Sequence, residues 1–357
     1  MGKDVAVVIP FYNGSQYIER AIRSVLNQTK PPTEIIVVDD GSTSSESAKL
    51  AEICSKYKVR ILTQENGGQG SARNLGVRHS KSDFICLLDQ DDYFLDWHIE
   101  HLLKVTESDG DSRFAVAYGD LWRIDGQGRV IQHGVLDSSA HPKTDIVSQL
   151  RYDQVILPSA SLISKSAFTE VGGFDSELKG YEDDDLFMRF FAAGFTSVYT
   201  PRAVTAWTVN EESTSFSNLM SQSRWLYFEK LRERYPDRPN SSQYFLRDCF
   251  YPRFSPWFAE DLLVSVFLGN PALADNRQRL KDFCSIVAAS PSCSVYRQQL
   301  RILRWISSAP VGAVVFFGKI AASRLGNLFF PGKGHARVRP LLRELVLKRK
   351  YRYVTAR

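Results

Sequence analysis

The chain has 357 residues, 43% of them hydrophobic and 24% charged, which is the composition of a globular protein large enough for two domains. Its five scattered cysteines form no CxxC pair, which argues against a disulfide framework or a zinc site and fits a reducing cytoplasm. The net charge of +5 is uneven: residues 1–219 hold 21 Lys+Arg and 31 Asp+Glu (−10), and residues 220–357 hold 24 and 9 (+15). The basic part indicates an anionic surface or polymer as a partner.

The N-terminal part alternates between strand and helix patterns. VAVVI (5–9) and IIVV (35–38) are continuous β-branched runs, typical of buried parallel strands. Between them apolar residues recur at helical spacing (Ile18, Ala21, Ile22, Val25 and Leu26). The pattern continues with a helix near 46–57, a strand near 59–63, a helix near 70–79 and a strand at 84–88. This order predicts a doubly wound α/β sheet with ligands bound beyond the carboxyl ends of its strands.

Later elements are mixed in type. We predict a hairpin around Asp125-Gly126, a strand at 159–164 and a helix over YEDDDLFMRFFAAG that ends at Gly194. From about residue 215 the patterns are mainly helical. The apolar stretch Trp305 to Gly318 is shorter than the ~18–20 residues that a membrane-spanning helix needs. The start, MGKDVAVVIP, has no signal-peptide pattern, so we expect a cytoplasmic protein.

Two polar loops after the early strands have alternative explanations. In VVDDGSTSS, Asp40 either belongs to an ordinary Asp-Gly turn or accepts a hydrogen bond from a nucleobase N–H. ENGGQGSARNLG fails the G-x-G-x-x-G pattern, because Arg73 occupies the last glycine position. Gly68 and its neighbours, with Arg73 and Asn74, would still hold an anion through backbone amides and a guanidinium. Glycine-rich helix starts are also common without a ligand.

The stretch ICLLDQDD (85–92) ends a buried strand with three aspartates. At D-x-D spacing on an extended segment, Asp89 and Asp91 project to the same side, whereas Asp92 points the other way. A carboxylate pair with substrate phosphates is how Mg²⁺ or Mn²⁺ is commonly held. The alternative is a solvated acidic turn, and for Asp92 we expect only a structural hydrogen-bond acceptor.

The fourth stretch, GYEDDDLFMRF, predicts the start of a helix. Asp185 and Arg189 are spaced i,i+4 and are expected to pair. Glu182 and Asp183 lie in the first turn, where the helix dipole alone explains negative charge. Asp183 also lies at the edge of the apolar face, where a carboxylate overhanging a cleft would accept a proton from a bound hydroxyl.

Together these stretches resemble the family-2 glycosyltransferases, which have the GT-A fold. The resemblance covers roughly residues 5–190 through VVIPFYN, SVLNQT, IIVVDDGSTSS, ENGGQGSARNLGV, LLDQDD and GGFDSELKGYEDDDLFMR. It implies a nucleotide-sugar donor, usually a uridine diphosphate sugar. It implies donor contacts from eight residues: Pro10, Tyr12, Asp40, Gly68, Arg73, Asp89, Gln90 and Asp91. Asp91 and Asp89 would bind Mn²⁺ or Mg²⁺, and Asp183 with Glu182 would be the catalytic carboxylates of an inverting transfer.

The implied activity is transfer of a sugar to a hydroxyl of a glycan or lipid-linked acceptor in surface polysaccharide synthesis. Many members have a histidine after the last strand of the catalytic domain, whereas AWTVNEES has Asn210 there, so phosphate and water would complete the metal shell. A sugar-nucleotide pyrophosphorylase would need a Gly-rich loop after the first strand, where this chain has Pro10-Phe11-Tyr12-Asn13. A non-catalytic sugar-nucleotide-binding scaffold would lack the D-x-D or Glu-Asp carboxylates.

We therefore predict a GT-A catalytic domain over 1–219, with a nucleotide-sugar half (about 1–92) and an acceptor half (93–219). A basic helical region over 220–357 would follow. Residues 331–357 contain nine Lys/Arg and one Glu, and the apolar 305–330 segment precedes them. One explanation of this composition is a solvated or disordered end. Our hypothesis is that residues 300–357 dock on an anionic membrane surface at the inner face of the cytoplasmic membrane. We do not expect nucleic-acid binding, because no recognition fold accompanies the charge.

Overall fold

The computed structural model describes residues 4–107, 113–136, 141–209 and 218–322. Their backbone contacts divide them into two compact units. Unit 1 contains the described residues of 4–144 and 154–209, and unit 2 contains those of 145–153 and 218–322. In these ranges no helix is both long and apolar enough to cross a membrane. The domain boundary predicted at residue 219 stays a prediction.

Unit 1 is built on a nine-stranded sheet, and its first four strands are parallel. In sheet order they are β3 (Arg60–Gln64), β2 (Glu34–Asp40), β1 (Val5–Phe11) and β4 (Phe84–Leu87). Val7 and Ile9 of β1 pack into the core on one side of the sheet, while Val8 packs into the core on the other side. Both faces are therefore covered, which is why these strands are continuous apolar runs.

Five further strands extend the sheet: β5 (Tyr93–Phe94), β6 (Phe114–Ile124), β7 (Val130–His133), β8 (Ser161–Ser164) and β9 (Thr196–Thr208). Beyond β4 the order is β8-β6-β9-β5, and β7 pairs with β6. β8 is antiparallel to both β4 and β6, whereas β9 is parallel to β6. This mixed α/β sheet confirms the predicted fold class, and the β6–β7 pair confirms the predicted hairpin.

The helices of unit 1 in the described ranges are α1 (Ser15–Leu26), α2 (Ser44–Tyr57), α3 (Gln69–His79), α4 (His98–Glu107), α6 (Lys165–Glu170) and α7 (Glu182–Ala192). The predicted apolar face of α1 is buried apart from Leu26, which is exposed at the last residue of the helix. Because α1, α2 and α3 each follow a parallel strand, their N-termini lie with the loops at the carboxyl edge of the sheet.

Gly76 allows α3 to lie directly against the sheet. A Cβ atom built there is 2.3 Å from Cγ1 of Val8 and 3.2 Å from Cγ2 of Val38. We therefore expect Gly76→Ala to lower the free energy of unfolding by about 1–3 kcal/mol, because the helix or a strand must shift. Urea unfolding measures the change. Gly126→Ala is the control, since an added Cβ there meets nothing within 4 Å. Equal stability of the two variants would contradict the close packing.

Unit 2 is helical in its described part. Its helices are α5 (Ile146–Arg151), α8 (Asn218–Arg234), α9 (Tyr251–Leu268), α10 (Leu273–Ala289), α11 (Arg297–Ser308) and α12 (Val311–Ala322). Phe228 of α8 lies in an aromatic core, with ring centroids 5.3 Å from both Phe254 and Phe283. The buried Arg253 pairs with Asp153 at 3.2 Å and donates to the Leu150 carbonyl, which fixes α5 in this unit.

Candidate active site

The loops that follow β1, β2 and β4 are joined by hydrogen bonds. The N–H of Tyr12 donates to Gln90 Oε1 at 2.9 Å, and Gln90 Nε2 donates to the Tyr12 carbonyl at 3.1 Å. The N–H of Asn13 donates to Ser42 Oγ at 3.0 Å, and Asn13 Oδ1 accepts from the N–H of Thr43 at 3.0 Å. Parallel strands end at the same sheet edge, so these polar loops meet there, as predicted.

Asp40 holds the glycine-rich loop that precedes α3. Its Oδ1 accepts from the N–H of Gly67 at 2.8 Å and from Gln64 Nε2 at 2.6 Å. Its Oδ2 accepts from the N–H of Gly68 at 2.8 Å, and Gly68 has a φ of +85°, which glycine adopts without strain. The anion held by these backbone amides is therefore the buried Asp40 carboxylate. A nucleotide contact by Asp40 or Gly68 stays a prediction.

Arg73 connects the two carboxylate motifs, with only 2% of its side chain exposed. Its Nη2 lies 2.6 Å from Asp89 Oδ1, and its Nη1 lies 3.0 Å from Glu182 Oε1. Gln69 Nε2 donates to the same Asp89 oxygen at 2.5 Å. A buried charge is costly unless it is paired. The Arg73 guanidinium meets this need by pairing with one carboxylate of the aspartate turn and one carboxylate of the α7 start. The anion expected for Arg73 is thus, in this structure, a pair of protein carboxylates.

The three aspartates after β4 have different surroundings. Asp89 is ion-paired, as described above. Asp92 is buried and accepts from the N–H of Thr208 at 2.9 Å, in agreement with the structural role expected of it. Burial, followed by the charges of Asp89 and Asp91, raises the pKa of Asp92 well above its ordinary value. Asp91 is half-buried, and its backbone carbonyl accepts from the Arg20 guanidinium at 2.5 Å. The turn therefore relieves charge repulsion by an ion pair at one carboxylate and by favouring protonation at another.

Two of the four acidic residues that open α7 are structural. Asp185 Oδ2 lies 2.7 Å from Arg189 Nε, so the predicted i,i+4 pair is present. The same guanidinium donates to two carbonyls in the loop before α7, which fixes that loop. Asp184 is buried and accepts from a backbone N–H at 2.6 Å. Glu182 and Asp183 are the two carboxylates of this turn that remain for chemistry.

Asp183 has the electrostatics of a proton acceptor. Its carboxylate is half-buried, and Oδ1 accepts from the N–H of Asp184 at 2.8 Å. Burial raises the pKa of Asp183 to about 8, and the charges of Glu182 and Asp184 contribute to this shift. Burial also raises the pKa of Glu182, although the Arg73 guanidinium opposes that effect. A carboxylate with a raised pKa is a stronger base near neutral pH than an ordinary aspartate.

The protein ligands at this site would hold a divalent cation only together with oxygen ligands from the substrate. In the part of the chain that the structure describes, no three His, Cys, Asp or Glu side chains are grouped to hold a metal. Asp89 and Asp91 nevertheless place two carboxylates on one turn, and Mg²⁺ is often held by one or two carboxylates with substrate phosphates and water. These residues therefore fit Mg²⁺ or Mn²⁺ bound together with a diphosphate. Asn210 lies outside the described residues.

Other predicted residues support the site through the backbone. Pro10 is buried within β1, where it is in register with Val38 of β2. Tyr12, in contrast, is 49% exposed just beyond that strand. Asn74, which the sequence places at the predicted anion site, instead donates to the Phe174 carbonyl at 2.8 Å and accepts from the Phe174 N–H at 2.9 Å. These bonds hold the loop before α7 against α3.

Two contributing residues were not recognised from sequence. Gln69 binds Asp89, and its only sequence signal is its position at the start of α3, directly after the glycines. Arg20 of α1 donates to Asp91 and to Thr208 Oγ1 at 2.9 Å, so it holds the aspartate turn against the end of β9. Neither contact follows from local spacing, because the partners are 20 and 71 or more positions away.

A mixed α/β sheet with acidic loops at the ends of its parallel strands and at the start of α7 defines a GT-A-type protein. The structure of S. aureus TarS 1-349 in complex with UDP-GlcNAc has a TM-score of 0.60 at 18% identity, covering 87% of this chain and 89% of that chain. The mannosyltransferase PcManGT from Pyrobaculum calidifontis, in complex with GDP-Man and Mn²⁺, has a TM-score of 0.51 at 15% identity, covering 96% and 86%. These similarities show the fold.

Sequence comparison identifies the family. Residues 6–171 match the family model described as glycosyl transferase family 2. An uncharacterized glycosyltransferase of Rickettsia bellii is 31% identical over 201 residues, which are 56% of this chain and 29% of that relative. Residues 6–171 therefore belong to glycosyl transferase family 2, and the resemblance found in the motifs is confirmed for this part of the chain. The chain spans about a third to two thirds of the length of the curated relatives that it matches.

Proposed function

We propose that unit 1 transfers a sugar from a nucleotide sugar to a hydroxyl of a glycan or lipid-linked acceptor, with inversion, in surface polysaccharide synthesis. The observation that carries this proposal is the meeting of Asp89 and Glu182 on Arg73. This shared ion pair joins the aspartate turn after β4, which suits a cation bound together with a diphosphate, to the start of α7, which carries the proposed base. The UDP-GlcNAc complex of TarS supports a uridine diphosphate donor.

Asp183 acts as the base in this mechanism. The acceptor oxygen forms a bond to the anomeric carbon while the bond from that carbon to the diphosphate breaks, and the hydroxyl proton passes to the Asp183 carboxylate. Attack on the face opposite the leaving group inverts the sugar carbon, as in single-displacement glycoside chemistry. The raised pKa of Asp183 suits it to take this proton near neutral pH.

The donor side needs positive charge opposite the leaving diphosphate. Asp91, with Asp89, would hold Mg²⁺ or Mn²⁺ there, and the cation would supply that charge. Glu182 is paired with a buried guanidinium, so we assign it a positioning role. Its ion pair with Arg73 fixes the first turn of α7 and with it the Asp183 carboxylate. This assignment narrows the predicted catalytic pair to one base.

A donor panel tests the proposed activity. Purified full-length protein is incubated with UDP-, GDP- and dTDP-sugars, each with Mn²⁺, Mg²⁺ or EDTA, and release of nucleoside diphosphate is measured with and without added glycan acceptors. We expect release from a UDP-sugar that increases with a hydroxyl acceptor. Binding of a nucleotide sugar without release would support a scaffold, and formation of nucleoside triphosphate from pyrophosphate would support a pyrophosphorylase.

We expect Asp91→Asn to abolish the stimulation by divalent cations, because it removes one of the two carboxylates assigned to the cation. The loss should appear in a Mn²⁺ titration of nucleoside diphosphate release and of donor binding. Asp96→Asn is the matched control, since Asp96 is exposed shortly after the same turn. A variant at Asp91 that keeps the full response to Mn²⁺ would contradict the assigned cation role.

A further inference from the structure

The last two described helices of unit 2 expose apolar side chains beside arginines. On α11, Ile302 is 43% and Trp305 is 42% exposed, and on α12 Phe316 is 60% exposed. Leu300 and Val314 of the same helices are buried. Each helix is therefore anchored through one face and presents large apolar groups on another. We use the name α11–α12 surface for these three exposed side chains together with the exposed arginines of α11, Arg297, Arg301 and Arg304.

The sequence that contains α11 and α12 carries charge of one sign. Between Asp282 and Glu344 the sequence contains no acidic residue. On α11 the three arginines Arg297, Arg301 and Arg304 are all exposed, and Arg301 and Arg304 directly precede Ile302 and Trp305 in sequence. The α11–α12 surface thus combines exposed aromatic and aliphatic groups with three exposed arginines. A second copy of the same surface would repel it, which argues against self-association.

An anionic lipid bilayer matches both properties. Tryptophan and phenylalanine are favoured at the boundary between headgroups and acyl chains, and arginines beside them attract lipid phosphates. A nucleic-acid backbone would satisfy the arginines but would offer no partner to the exposed Ile302. We propose that the α11–α12 surface binds the surface of an anionic membrane, with Ile302, Trp305 and Phe316 in the headgroup boundary. This inference does not depend on the proposed transfer activity.

Vesicle flotation of the full-length protein tests the proposal. The probes are phosphatidylcholine vesicles with and without phosphatidylglycerol. We expect binding to the anionic vesicles only, weakened by salt. The triple variant Arg297→Gln/Arg301→Gln/Arg304→Gln should bind on the order of a hundredfold more weakly, since one basic group near the surface accounts for about fivefold. Equally strong binding to neutral and to anionic vesicles would contradict the proposed attraction between the arginines and anionic lipids.

The apolar part is tested separately. Ile302→Ser/Trp305→Ser/Phe316→Ser should bind anionic vesicles at least tenfold more weakly while unfolding at the same temperature as the wild type. The control is Val130→Ser/Ile131→Ser, which removes exposed apolar groups from β7 and should leave binding unchanged. Equal binding by the triple serine variant and this control overturns the proposal. Displacement of the protein from vesicles by a short duplex RNA or DNA, with the serine variant binding that duplex normally, would overturn it in favour of nucleic acid.

Discussion

Asp183→Asn is expected to reduce glycosyl transfer by about 10²- to 10⁴-fold, the usual contribution of a positioned general base. Asparagine has nearly the same shape but takes no proton, so the acceptor hydroxyl stays protonated as it attacks. Donor binding should be unchanged, because the Asp89 turn is intact. Nucleoside diphosphate release under saturating donor measures the rate, and donor titration measures the binding. Glu177→Gln, an exposed carboxylate before α7, is the control and should keep full activity.

The pH dependence gives this prediction a second readout. Only the ionised Asp183 carboxylate accepts a proton, so the wild-type rate should rise with pH through about 8. Stability should change in the opposite direction. The folded pKa lies above the ordinary value of 3.8, so the folded state holds the proton more tightly, and the associated stability is lost as the pH rises from about 4 to about 8.

Asp183→Asn removes that loss, so its Tm should exceed that of the wild type by a margin that grows over this range. Near-normal turnover by the variant, or a pH–rate profile identical to that of the wild type, would show that another group is the base. A Tm difference that does not depend on pH would show that the Asp183 carboxylate is ionised as readily in the folded chain as in the unfolded one.

Arg73→Met is expected to lower the free energy of unfolding by about 3–5 kcal/mol, because it leaves the buried Glu182 carboxylate and the partly exposed Asp89 carboxylate without their partner. Methionine fills similar space, so the loss of stability would come from the missing charge and not from a cavity. The double variant Arg73→Met/Glu182→Gln should recover part of the stability, since the neutral amide no longer needs a cation. Urea unfolding measures both variants.

Arg78→Met is the matched control, because Arg78 is exposed on the same helix. It should unfold as the wild type does. If Arg73→Met is as stable as this control, or if adding Glu182→Gln destabilises it further, the shared ion pair does not stabilise the site. Arg73→Lys should also be destabilising, because an ammonium cannot present two separated N–H groups in the fixed geometry of the guanidinium.

Local pattern was sufficient for the first half of the sheet and for the positions of the acidic loops. The β-branched runs predicted β1 and β2, and D-x-D spacing separated Asp89 and Asp91 from the inward-facing Asp92. The pairing of β9 with β6 and the short β5 depend on contacts between distant segments, which periodicity does not encode. Most of the basic end of the chain lies outside the described residues, so the role predicted for it stays a prediction.

The linkage within the site was not predictable in the same way. Arg73 and Glu182 are 109 positions apart, and nothing near either residue indicates the other. Likewise the glycine loop was expected to hold an anion, but its partner is the Asp40 carboxylate from the end of β2. In both places the sequence indicates the type of chemistry, whereas the partner is determined by which strand ends the topology brings together.

The two ion pairs of Arg73 would couple donor binding to the loss of a proton from the base. Its guanidinium divides its hydrogen bonds between Asp89 and Glu182, so a ligand that withdraws Asp89 leaves more of its positive charge to the carboxylates of α7. Under the proposed function, we expect the proton affinity of Asp183 to fall when a donor draws Asp89 away from Arg73. By reciprocity, loss of the proton from the base tightens binding on the donor side by the same factor. The shared Arg73 guanidinium would thereby couple ligand binding at the aspartate turn to the pKa of the carboxylates at the start of α7.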